Sequence, residues 1–268
     1  MMKRICIVLV SMLSIIITGC NHRLSDMGEY NFFTDQVSRW APEADQKTSF
    51  VFVDDEWVPK EPPLLWSQEY FDNNHALDQH WKVSLEDNEI IITTLSNTEN
   101  TKMYFDVKGG RFIGENHGEW GGSLKFSRGL SSYYVLRSCN PVGMFVLEND
   151  LYLLEGISHL MIFDGNIYRI HYNGKRWEVD DNETYTLKAS PKEFVLSENA
   201  AYVVTDTTIT KIQKDDGRLS IEVLLEADFL ELGTSSIVKK DNILFLGMCG
   251  AILTFNLGTD ETQWLVQK

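Results

Sequence analysis

Cysteine, proline and positive charge are all scarce in this chain. Its 268 residues include four cysteines, six prolines, and 24 lysines and arginines against 39 acidic residues, a formal net charge of −15. Such an acidic chain repels phosphate and has no basic stripe, which argues against nucleic acid as a partner. No Cys-x-x-Cys pair occurs, so a thiol-redox site or zinc ribbon has no support. A Gly-x-Ser-x-Gly elbow, a glycine-rich phosphate loop and an EF-hand pattern are absent too, and with them the local signatures of common hydrolase, nucleotide and calcium sites. No cofactor or metal is therefore expected. No apolar run reaches the roughly 20 residues that a membrane-spanning helix needs. At 43% apolar and 24% charged residues, what remains is ordinary globular composition.

The leader is the most specific feature. Lys3 and Arg4 precede an apolar stretch, Ile5 to Ile17, interrupted only by Ser11 and Ser14. That length suits a signal peptide. The stretch runs into Ile17-Thr18-Gly19-Cys20, which resembles the lipobox of bacterial lipoproteins. The resemblance covers the first 20 residues and implies cleavage before Cys20, with acyl chains on its sulfur and its new amino group. Several acyl chains anchor stably where one is marginal. Asn21, where an inner-membrane lipoprotein of enteric bacteria has Asp, implies the outer membrane, facing the periplasm. Cleavage removes Lys3 and Arg4 and no acid, so the mature chain gains nothing from anionic head groups and would hang from its lipid.

Cys139 and Cys249 remain after Cys6 is cleaved away and Cys20 lipidated. In an oxidising compartment they could form a disulfide; the alternative is two buried free thiols. Residues 20–47 read as the lipidated cysteine and a polar tether, with a short amphipathic helix around Phe32 to Trp40 as an option, and 48–268 as the folded body.

In that body, short apolar runs alternate with turn clusters, an all-β pattern. Three hairpins repeat: Phe145 to Leu154, Phe194 to Val204 and Ser236 to Leu246. A second hairpin follows each, beginning at Ile167, Ile209 and Ile252, a step of 42 or 43 residues. Asn173-Gly174 and Asp216-Gly217 supply tight-turn chemistry. Four strands per such step is the period of a β-propeller blade. About five four-stranded blades are expected, with a β-sandwich or barrel as the alternative. A weaker copy pairs Val83–Thr94 with Met103–Ile113, and its spacing from the next copy implies a degenerate blade or an insertion across 115–142. The strand at 48–53 is expected to complete the last blade and close the ring. The body is similar in outline to propellers of the WD40 and quinoprotein-like type. It lacks their repeat signatures, so no family function carries over.

The densest polar cluster is Glu115-Asn116-His117-Gly118-Glu119-Trp120-Gly121-Gly122. Its functional reading is a flexible ligand or partner loop presenting Glu115, His117, Glu119 and Trp120. Its blander reading is a wide glycine turn with Trp120 packed between blades. One His and one Glu fall short of a zinc site. His159, in an apolar stretch, is expected in the core or between blades. The favoured function is a protein-binding module for a partner of basic character, either an envelope-assembly accessory or an immunity-type inhibitor of a toxin. The alternative is an envelope glycan hydrolase or lyase, which needs Glu115, His117, Glu119 and His159 to converge in one cleft.

Overall fold

A computed structural model describes residues 37–39, 49–52, 56–75, 80–94, 102–129, 132–159 and 162–268, with backbone alone for 37–39, 49–51 and 73–75. The leader and Cys20 lie outside the described residues.

The body is all-β, five antiparallel sheets in a propeller-like arrangement. Three short strands come first, β1 (Val37–Arg39), β2 (Ser49–Val51) and β3 (Trp57–Lys60), then helix α1 (Gln68–His75). Blade 1 is β4 (Trp81–Glu86) and β5 (Glu89–Thr94), with β2 on the far side of β5. Blade 2 is β6 (Lys102–Val107), β7 (Gly110–Asn116), β8 (Gly122–Ser127) and β9 (Tyr133–Ser138). Blade 3 is β10 (Pro141–Leu147), β11 (Asp150–His159), β12 (Ile162–Tyr172) and β13 (Trp177–Leu187), with β1 added beside β10. Blade 4 is β14 (Pro191–Ser197), β15 (Ala200–Thr205), β16 (Thr208–Asp215) and β17 (Arg218–Glu226). Blade 5 is β18 (Thr234–Lys240), β19 (Ile243–Met248), β20 (Ile252–Asn256) and β21 (Thr262–Gln267), with β3 paired to β21.

First strands of successive blades meet, β10 with β14, β14 with β18 and β18 with β4, which puts them at the centre. A strand enclosed by neighbouring blades buries both faces and reads as a continuous apolar run. β15 is buried at every residue, and β10 at all but one. The outer strands β9 and β13 are a mixture of exposed and half-buried residues, with only the two ends of β13 buried. Apolar clusters fill the gaps between blades. Phe105, Phe112, Leu153 and Trp177 lie between blades 2 and 3, and Phe145, Tyr152, Phe194 and Val203 between 3 and 4. Val204, Ile209, Ile237 and Leu246 lie between 4 and 5, and Trp57, Trp81, Ile92 and Phe245 between 5 and 1.

The three repeated hairpins are β10–β11, β14–β15 and β18–β19, and the second hairpins are β12–β13, β16–β17 and β20–β21, as the repeat predicts. Four expectations need correction. The last blade is completed by Trp57–Lys60, in register with Trp264–Gln267, whereas Ser49–Val51 pairs with β5 of blade 1. Pro59 hides β3 in the sequence, yet an outer edge strand tolerates a missing N–H. Val83–Thr94 and Met103–Ile113 belong to separate blades, because Met103–Ile113 is a first hairpin. The segment 115–142 contains no insertion; β8 and β9 complete blade 2, and the reduced blade is blade 1. Within the span read as a tether, Val37–Arg39 is a strand paired with Gly143–Phe145, not part of a helix. The rest of the Phe32–Trp40 helix option lies outside the described residues. Cys139 and Cys249 form no disulfide with each other; one lies at the junction of blades 2 and 3, the other in blade 5 beside His80.

Candidate functional site: the loop rim

In an up-and-down blade, the turn between the second and third strands and the exit to the next blade fall at the same end. Hydrogen bonds join these segments into one rim. Cys139 N donates to Gly122 O, Gly156 N to Asn140 O, Asp206 N to Ser190 O and Ala227 N to Thr207 O. Glycine is required where the connections cross closely. A Cβ on Gly122 would lie 2.2 Å from Glu115 O and 2.6 Å from Cys139 O. One on Gly165, which pairs with Gly156, would lie 2.4 Å from Ala189 O.

The Glu115–Gly122 cluster spans the β7–β8 turn of this rim. Asn116 Oδ1 accepts from Gly118 N at 2.8 Å, His117 N donates to Gly121 O at 2.8 Å, and Asn140 Nδ2 donates to Gly118 O at 3.0 Å. The turn is thus tied within itself and to the next connection. The 3-10 turn Gly118–Trp120 leaves Trp120 84% exposed, which overturns the packing of this ring between blades.

Of the four side chains proposed to converge, two meet. His159 Nε2 lies 2.8 Å from Glu119 Oε2, both side chains about 40% exposed. His159 is therefore a rim residue and not a core histidine. It sits where β11 and β12 run on past the Gly156–Gly165 pair as a two-stranded arm, opposite Ile162. Ile162 and Phe163 are 52% and 41% exposed. The Glu119–His159 contact thus joins the turn carrying Trp120 to the arm carrying Ile162 and Phe163.

Glu115 is held elsewhere, in contact with Lys125 Nζ and 3.6 Å from Lys102 Nζ. The hydrogen bond from Lys125 keeps its carboxyl below the usual carboxylate range against the opposing effect of desolvation. It is a fixed anion tying β6, β7 and β8 together and a poor proton donor. His117 is exposed at the turn. The four groups do not form one cleft.

The sequence reading missed two further rim features. Asp206 is 6% exposed; Lys192 Nζ lies 2.8 Å from its Oδ1, while Oδ2 is buried without a hydrogen bond. Burial first, then the charges of Asp206 and Asp228, push the Glu231 carboxyl above its ordinary value. The folded state therefore binds this proton more tightly than the unfolded state. The associated stability is present below the ordinary glutamate range and lost as pH rises through the raised value. Glu231→Gln is expected to raise the urea midpoint at neutral pH and to leave it unchanged near about pH 4. Equal midpoints at neutral pH would contradict a strained carboxylate there.

Second, Cys249 Sγ lies 3.2 Å from His80 Nε2. Burial pushes the thiol up to about 11 and lowers His80. A nucleophilic cysteine needs the thiolate, which burial disfavours here. Among the described residues, no group of three or more His, Cys, Asp or Glu could hold a metal ion, and no helix is long and apolar enough to cross a membrane.

The chain matches no protein-family model and no curated protein.

Proposed function

We propose that the chain is an envelope lipoprotein, anchored through Cys20 at the outer membrane and facing the periplasm, whose propeller-like body binds a protein partner through the loop rim. The observation that carries the reading is Trp120, 84% exposed on a hydrogen-bonded turn and coupled through Glu119–His159 to the arm bearing Ile162 and Phe163. A soluble surface rarely leaves large apolar side chains grouped in this way without use, and tryptophan on a rigid support is a preferred interface anchor. Asp206, Asp228 and Glu231 add mutually repelling acids to the same rim, and the chain carries a net −15. Together these favour a basic partner, because complementary charge speeds encounter and excludes acidic competitors. An envelope-assembly accessory and an immunity-type inhibitor of a toxin both fit this description. The glycan-hydrolase alternative is less favoured, since Glu115 is held by Lys125 away from the Glu119–His159 pair.

Affinity capture of the full chain from detergent-solubilised envelopes of its own host tests the rim. Trp120→Ala is expected to weaken partner binding by about 30-fold or more, as an anchor worth at least roughly 2 kcal/mol implies, with an unchanged Tm. The same partner recovered at the same yield with Trp120→Ala would overturn the assignment. In metabolic labelling with a clickable fatty acid, the wild-type chain is expected to take up label and Cys20→Ser to take up none; no label on the wild type, or equal label on both, would contradict the lipid anchor.

A further inference from the structure

On the face opposite the rim, a cavity of about 350 Å³ opens between blades 2 and 3. Its walls are Arg128, just after β8, Tyr133 and Tyr134, at the start of β9, and the β12–β13 turn, with Lys175 and Arg176. In a chain of net charge −15, these walls hold three cations and no carboxylate. The contrast with the same face of blades 3 and 4 is direct, where a cavity is lined by Asp180, Glu183 and Arg218.

The turns fix the backbone that carries the cations. Asn173 Oδ1 accepts from the backbone N–H groups of Lys175 and Arg176 at 2.9 and 3.0 Å, which fixes the turn that carries them. Arg128 Nη2 donates to Lys175 O at 2.8 Å, and Tyr134 Oη accepts from Trp177 N at 2.9 Å, so both contacts tie blade 2 to blade 3 across the cavity. Glu178 occupies the Nε edge of Arg176 at 2.7 Å, and the Nζ of Lys175 has no ion pair among the described residues. Buried Phe126 and partly exposed Tyr134 give the cavity an apolar lining, and Tyr133, 65% exposed, supplies an aromatic flank. At physiological salt, charges act over a Debye length of about 8 Å, so an anion in the cavity feels these cations more than the distant acidic surface.

We infer that this cavity is a binding site for a single sugar ring carrying a carboxylate or a phosphate. The volume is at the small end of ligand pockets, which suits one ring and not an oligomer. Guanidinium and ammonium groups on a preorganised turn match an oxyanion, and an aromatic flank matches the apolar face of a sugar. The ring could come from a free metabolite or from the terminal unit of an envelope glycan; the recognition chemistry is shared. The site is independent of the partner-binding rim.

Isothermal titration of the full chain in detergent tests it with four probes: glucuronate, glucose 6-phosphate, glucose and inorganic phosphate. Both sugar acids are expected to bind about tenfold or more tightly than either glucose or inorganic phosphate, since ring and oxyanion contribute together. A double substitution, Lys175→Ala with Arg176→Ala, is expected to weaken sugar-acid binding by about tenfold or more. Arg176→Lys keeps the charge, loses the fork, and should give a smaller loss that serves if the double variant is unstable. Trp120→Ala, on the opposite face, should bind the sugar acids like wild type, which separates failure of this site from failure of the rim. A glycan source is distinguished by adding an oligosaccharide that ends in glucuronate; equal affinity for it points to a glycan terminus, and exclusion of it to the free sugar acid. The inference is overturned if neither sugar acid binds, if inorganic phosphate binds as tightly as they do, or if Lys175 and Arg176 can be replaced without effect.

Discussion

Trp57→Ala is expected to lower stability by about 3–5 kcal/mol, the usual cost of truncating a buried aromatic. Trp57 is 3% exposed in β3, the strand that precedes blade 1 in the chain but completes blade 5. Its ring packs edge-on against Trp81 at 5.6 Å, at the start of blade 1, and tilted against Phe52 at 5.9 Å; Phe52 in turn meets Phe245 of blade 5. One side chain therefore connects the two blades that close the arrangement. The indole Nε1 is buried without a hydrogen bond, so removing it relieves some desolvation and favours the lower part of that range. At roughly 2–4 °C per kcal/mol for a domain of this size, a fall in Tm of about 6–20 °C follows. Trp66→Ala, at a site 70% exposed, should cost less than about 1 kcal/mol. Thermal unfolding of the two variants checks the comparison; equal Tm values would mean that β3 does not hold the blades together.

The second large effect is expected at Asp150. Its Oδ1 accepts from Arg169 Nη2 at 2.7 Å and Nε at 3.1 Å, and its Oδ2 accepts from Lys214 Nζ of blade 4. The side chains of Asp150 and Lys214 are only 20% and 9% exposed. Asp150→Ala leaves the Lys214 ammonium largely buried without this partner. A fully buried broken pair costs about 3–5 kcal/mol, and partial solvent access reduces this to about 2–3 kcal/mol. The sign is informative. In a chain with excess negative charge, loss of an acid at an uncoupled surface site would reduce self-repulsion. Urea unfolding of Asp150→Ala, Lys214→Met and the double variant separates the two cases. Destabilisation by Asp150→Ala that is largely recovered in the double variant supports the inter-blade pair, and an Asp150→Ala variant as stable as wild type would contradict it.

The architecture was legible where strand chemistry is repetitive. Phe145–Leu154, Phe194–Val204 and Ser236–Leu246 announce themselves because strands enclosed by neighbouring blades are continuously apolar, and their turns use Asn and Asp. Asn149, Glu198 and Asp241 adopt positive φ in those turns. The strands of blade 1 were legible but their grouping was not, because one of the three comes from far upstream and pairs across the intervening chain. β3 escaped notice because four residues with a proline in them carry no period, and only the tertiary context makes that proline harmless. At the rim, the segment carrying Trp120 was legible but the direction of its ring was not, since a ring in a glycine-rich turn reads the same whether it packs inward or outward. His159 reads as core because its neighbours, Ile162 and Phe163 among them, are apolar. Asp206 and the Arg128–Lys175–Arg176 group left no sequence signal, because their meaning depends on which turns the blades bring together.

The central claim, that the rim around Trp120 receives a protein partner, is tested most directly by photo-crosslinking in the native host. A photoreactive amino acid is placed at position 120 in the full chain and, in a second strain, at position 241, in the exposed β18–β19 turn on the opposite face. A discrete covalent adduct is expected from position 120 and absent from position 241. An adduct from position 241 alone, or none from either position, would contradict it.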